Sequence, residues 1–302
     1  MMMSGAVQRT PEEYVKANGL TLCYDTFGDP TEPPAVLIMG MGAQMIGWDD
    51  QFCELLAQRG FWVIRFDNRD AGKSTRLDWA GTPNIYSALT WAWFRQPVEA
   101  PYRLHDMALD VIGLMDALKI DKAHIIGASM GGTIGQVLAI QHPERMLSLI
   151  SMMSTTGDPD LPAPPGWAVA AMLKPAPAAL ESYVEHYVST WKRLRVGSFP
   201  EEEQRDRVRA ARNHERGLYP AGAARQLVAI LASGSRRQAL RKVNVPTLVV
   251  HGDRDPLVPL AAGIDTAQSI PGARLMVLED MGHTLPSRMW PRIIDGIVGV
   301  AR

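Results

Sequence analysis

Two cysteines in 302 residues are too few for a disulfide framework, and Cys23 and Cys53 have no CxxC or CxxH companion that could complete a zinc site. No metal and no cofactor is expected. Neither sign of charge prevails, with 31 Lys and Arg against 32 Asp and Glu, so nothing electrostatic points to nucleic acid as a partner. Long apolar runs are missing too: no window offers the roughly eighteen uninterrupted apolar residues of a membrane span. Met1 to Arg9 lack the apolar run of a secretory signal. The expectation is a cytoplasmic chain acting on a small molecule, away from membranes. Internal repeats and low-complexity tracts are absent.

What is present is a globular composition, 46% hydrophobic and 21% charged, which can bury a sizeable core. This length suits one α/β unit with an insertion. Within Glu13 to Phe27, Asn18-Gly19 separates two short apolar stretches, the dipeptide a type I′ hairpin needs because both central residues take positive φ. Ala35 to Met39, Phe61 to Phe66, His124 to Ile126 and Leu147 to Met152 are short and apolar on both faces, like strands buried in a parallel sheet. Helix-period segments lie between them, Phe52 to Leu56 and Met107 to Leu118. A second block adds strands at Thr247 to Val250 and Leu275 to Leu278, and helices at Leu260 to Ile270 and Met289 to Val300. This alternation predicts a mostly parallel sheet with helices on both faces.

From about Thr155 to Val243 no convincing strand occurs, and helix formers, proline and charge dominate. The expected division is a core of residues 1–154 and 244–302 with a helical insertion at 155–243. Leu180, Tyr183, Val184, Tyr187, Val188 and Trp191 mark one apolar helix face. Glu201 to Arg216 alternates acid and base and reads as a solvated helix.

The chemistry begins at Gly127-Ala128-Ser129-Met130-Gly131, between a strand and a helix. A serine there sits on a sharp turn that needs small residues two before and two after it, and its hydroxyl stands above the carboxyl ends of the strands. Serine is a weak nucleophile unless a base takes its proton and a third group orients that base. Of the seven histidines, His105, His124 and His142 precede or closely flank Ser129, while His186 and His214 fall in the insertion. His251 ends a buried strand and reads as structural. His283, in a loop after the last strand, is the expected base. For the acid, Asp255 in Gly252-Asp253-Arg254-Asp255-Pro256 is favoured, with Asp253 as the nearer competitor and Asp158 as a third candidate. The oxyanion formed on attack needs backbone N–H groups, expected from Met130 and from Met41 in Met39-Gly40-Met41-Gly42. Asp67, Arg69 and Asp70 read as a structural turn with ion pairs. The insertion leaves the sheet after Leu147 to Met152 and returns before Thr247 to Val250, so it should cap Ser129.

Over nearly its whole length the chain resembles the α/β-hydrolase superfamily. Asp67-Asn68-Arg69-Asp70-Ala71-Gly72-Lys73-Ser74-Thr75, the Gly127 to Gly131 elbow and Met281-Gly282-His283 resemble the bacterial branch containing aclacinomycin methylesterase. The resemblance implies an eight-stranded, mostly parallel sheet, an inserted helical cap and carboxylic-ester hydrolysis without a cofactor. It matches Ser129, Asp255 and His283 to nucleophile, acid and base, and Met41 and Met130 to the oxyanion donors. Met39 departs from the pattern, since many members carry histidine there. Serine at position 129 argues against relatives with a carboxylate nucleophile. A perhydrolase or a C–C bond hydrolase could use the same triad, and a non-turnover small-molecule receptor is the alternative of another class.

Overall fold

The computed structural model describes residues 7–302. The chain opens with a hairpin of β1 (Glu13–Ala17) and β2 (Leu20–Phe27), whose turn residues Asn18 and Gly19 take φ of 48° and 76°. The type I′ reading thus holds: both central residues are in the left-handed region that matches the twist of paired strands. β3 (Pro34–Ile38), α1 (Asp50–Ala57), β4 (Trp62–Phe66), α2 (Ile85–Trp93), α3 (Leu104–Ala117), β5 (Ala123–Ala128), α4 (Met130–Gln141) and β6 (Met146–Met152) follow. After the insertion come β7 (Thr247–Gly252), α10 (Leu260–Ser269), β8 (Arg274–Leu278) and α11 (Trp290–Ala301). The eight strands form one sheet in the order β1-β2-β4-β3-β5-β6-β7-β8. β1 and β2 are antiparallel and all pairings from β4 to β8 are parallel.

Successive residues of the central strands serve opposite faces. Val36, Ile38, Ile64, Ile125 and Leu149 pack with α3 and α4, whereas Ala35, Leu37, Val63, Ile126 and Ile150 pack with α1 and α11. Both faces are covered, which is why these strands are apolar throughout rather than alternating. Each valine, leucine or isoleucine among them contributes about 1.5–3 kcal/mol on leaving water, before entropy is charged against it.

Between β6 and β7 lie α5 (Gly166–Leu173), α6 (Leu180–Arg195), α7 (Glu201–Arg216), α8 (Pro220–Ala232) and α9 (Arg237–Leu240), with no strand. α9 already packs back against α4 and α10. The solvated-helix expectation for Glu201 to Arg216 needs correction. α7 packs along α6, and Glu202, Asp206, Ala210 and Asn213 are buried on one face. Its charges are satisfied by other elements: Arg195 pairs with Asp206, and Arg205 and Arg209 reach Asp49 before α1. Buried charges persist when they are paired in this way. α2 is a helix that the sequence pattern did not announce. No helix among the described residues is long and apolar enough to cross a membrane.

Candidate active site

Ser129 stands between β5 and α4 with φ 54° and ψ −117°, a strained conformation for a residue with a side chain. The turn closes only because its neighbours are glycine. A Cβ on Gly127 would lie 2.2 Å from the Gly131 carbonyl oxygen, and one on Gly131 would lie 2.0 Å from that of Ile38. The strained turn is pinned by the Ser129 N–H donating to Met152 C=O at 2.9 Å and by the Ser154 hydroxyl donating to Ser129 C=O at 2.9 Å.

His283 lies 3.1 Å from the Ser129 Oγ through Nε2 and 2.7 Å from Asp255 Oδ2 through Nδ1. Asp255 and His283 are both buried. Asp255 Oδ1 accepts the N–H groups of Leu257 and Val258, each at 2.9 Å, so the carboxylate is fixed and only its other oxygen faces the ring. Asp253 is exposed, and Asp158 hydrogen-bonds Ser235 and pairs with Arg237. Neither carboxylate meets the ring. His251 donates from Nε2 to Val258 C=O at 2.8 Å, and burial pushes its pKa down, in keeping with a structural, neutral ring. The His283 loop is held from the insertion: Gly282 N–H donates to Arg195 C=O at 2.7 Å and His283 N–H to Leu194 C=O at 2.8 Å.

Met130 follows the serine at the start of α4, where the first N–H groups have no partner within the helix. The loop carrying Met41 runs beside it, since a Cβ on Gly40 would sit 3.3 Å from that of Ser129. Among the described residues, neither the Met41 nor the Met130 N–H donates to a protein acceptor. Gln226, a fully buried α8 side chain that sequence reasoning missed, braces this loop. Its Oε1 accepts Gly42 N–H and its Nε2 donates to Arg69 C=O, both at 2.7 Å. A lone glutamine in a helix carries no sequence signal for this task.

Asp67, Arg69 and Asp70 fall in ion pairs around the loop after β4: Asp67 with Arg216, Arg69 with Asp110, Asp70 with Arg225. Burial nonetheless raises the Asp67 pKa to about 6.

Above Ser129 opens a cavity of about 400 Å³. Met41, Met130, Val169, Met172, Leu173 and Trp191 line it, as do Leu89 of α2 and Tyr187 of α6. Tyr183 and Trp167 do not line it; the first is buried on α6 against His214 of α7, the second is half exposed beneath Arg193. One corner is polar, with Arg195 of α6 beside Glu202, Asp206 and Arg209, three residues that the alternating charge pattern of α7 had disguised as surface.

The pattern describing the alpha/beta hydrolase fold family matches residues 33–286. The chain belongs to that family. It is 31% identical to the rhodomycin D methylesterase DauP of Streptomyces sp. (strain C5) and 30% identical to DnrP of Streptomyces peucetius, in each case over 91% of this chain and 93% of the relative. The enol-lactonase structure from Burkholderia xenovorans LB400 superposes with a TM-score of 0.70 at 25% identity, over 95% of this chain and 99% of that one. The protein is therefore a serine ester hydrolase, on the methylesterase side of the family.

Proposed function

We propose that the enzyme hydrolyses small to medium, largely apolar carboxylic esters through an acyl-enzyme on Ser129. The observation that carries this is the continuous line from Ser129 Oγ through the His283 ring to Asp255. His283 with its proton on Nδ1 donates to Asp255, which leaves Nε2 free to take the serine proton as Oγ attacks the ester carbonyl. The imidazolium that results lies against a buried carboxylate, where low dielectric strengthens the attraction. Negative charge gathers on the former carbonyl oxygen, and the N–H groups of Met41 and Met130 are assigned to receive it. Collapse expels the alcohol, which takes the proton from Nε2. Water then enters by the reverse route: His283 accepts its proton, the hydroxide attacks the acyl group, and Ser129 leaves with the proton returned.

The insertion at 155–243 acts in this reading as a cap, with α5 and α6 forming the apolar roof. A covered cavity of about 400 Å³ lies at the small end of ligand sites. Soluble p-nitrophenyl acetate and butyrate should be hydrolysed, and emulsified long-chain triglyceride scarcely at all. Long-chain preference with activation at an oil–water interface would refute the reading of the cavity. A fluorophosphonate adduct mapped by mass spectrometry should fall on Ser129, whose replacement by alanine should abolish turnover and labelling together. An adduct elsewhere would refute the assignment.

A further inference from the structure

α2 contains no charged residue, yet it lies at the surface. Ala88 packs with Val98 and Val228 of α8, and Leu89 reaches the cavity. The opposite face carries Tyr86, Trp93 and Phe94, 72%, 77% and 67% exposed, with Trp91 on its flank at 55%. A helix without charge that turns several large aromatics outward is normally covered. Taking about 150–250 Å² for each aromatic side chain, the four expose on the order of 550 Å², near the upper end of the largest patches on monomers, about 300–600 Å². The exposed Ser87, Thr90 and Gln96 extend the surface towards the roughly 800 Å² that each partner buries in a stable complex.

We infer that this face is the contact between two copies of the chain, α2 against α2 about a two-fold axis. Charge favours this occupant. A two-fold contact sets the residues on its axis against their own copies, and a helix without charges can do so without repulsion. Aromatic enrichment with loss of charge at the centre is the composition of interface cores. A lipid surface would instead call for a surplus of lysine and arginine around the aromatics. Here the basic residue that follows α2, Arg95, is paired with Asp160. Because Leu89 lines the cavity from the same helix, pairing would also brace one wall of the site.

The test is the solution mass of the full-length protein by light scattering on a size-exclusion column over a concentration series. The wild type should run at twice the chain mass, and Trp93→Glu, at a position where little is buried, at once that mass with its circular-dichroism spectrum and cooperative unfolding kept and a midpoint lowered only by the loss of pairing. Thr90→Cys, at the centre of the face, should form an intermolecular disulfide on mild oxidation, because the native Cys23 and Cys53 are both buried. A wild type monomeric throughout, or a dimer that Trp93→Glu leaves intact, would overturn the inference. So would a monomer that floats with phosphatidylcholine–phosphatidylglycerol vesicles and loses that binding in Trp93→Glu, which would identify a lipid-facing helix.

Discussion

Replacing Asp255 by asparagine changes one oxygen for an NH₂ group, and the structure fixes which way the amide must point. Leu257 and Val258 both donate N–H bonds to Oδ1, so the asparagine oxygen stays there and its NH₂ faces His283 Nδ1. Two donors cannot meet. The ring therefore moves its proton to Nε2, and that nitrogen can no longer accept from Ser129. In triads where this exchange traps the wrong tautomer, kcat falls about 10⁴-fold, or about 5.4 kcal/mol of transition-state stabilisation. Initial rates on p-nitrophenyl acetate at neutral pH should fall by that order, with the urea midpoint little changed because both backbone bonds survive. Asp253→Asn, at an exposed position, should stay close to the wild type. A loss of less than about tenfold in a folded Asp255→Asn protein, or the reverse ranking of the two variants, would refute the orientation argument.

Gln226→Met removes the two hydrogen bonds that tie the loop of Met41 to the loop after β4, and kcat should fall roughly tenfold, a fraction of the 10²–10³ lost with a whole oxyanion donor, while KM stays within about twofold; an unchanged kcat would exclude a positioning role. Gly282→Ala would set a Cβ 2.2 Å from the Leu194 carbonyl oxygen, so the urea midpoint should drop by an amount equivalent to about 1–3 kcal/mol, together with activity, as the insertion is pushed off the His283 loop. Burial lowers the His124 pKa from the usual 6.5 to about 4, so the fold favours the neutral ring. That contribution is complete above pH 6.5 and is lost as pH falls towards 4, worth up to about 3 kcal/mol. Wild-type unfolding free energy should therefore fall more steeply over that window than that of His124→Gln, and parallel curves would contradict the assignment.

By itself, the sequence determined whatever depends on local geometry. Asn18-Gly19 specified its hairpin because few other pairs take positive φ twice, and unbroken apolar strands specified a sheet covered on both faces. The glycines around Ser129 announced a close backbone approach. Tertiary structure alone decided what depends on distance between remote segments. Asp255, Asp253 and Asp158 are chemically the same group, and only folding leaves Asp255 beside His283 while Asp253 faces solvent and Asp158 turns to Arg237. The alternating charges of α7 suggested a wet helix because periodicity records composition, not partners, and the partners Arg195 and Asp49 lie on other elements. Gln226 had no signal at all, since its task exists only where the Gly42 and Arg69 backbones meet. α2 escaped notice for the opposite reason: uncharged, with large aromatics beside Ser87 and Thr90 on its exposed side, it lacks the charged face by which an amphipathic surface helix is read.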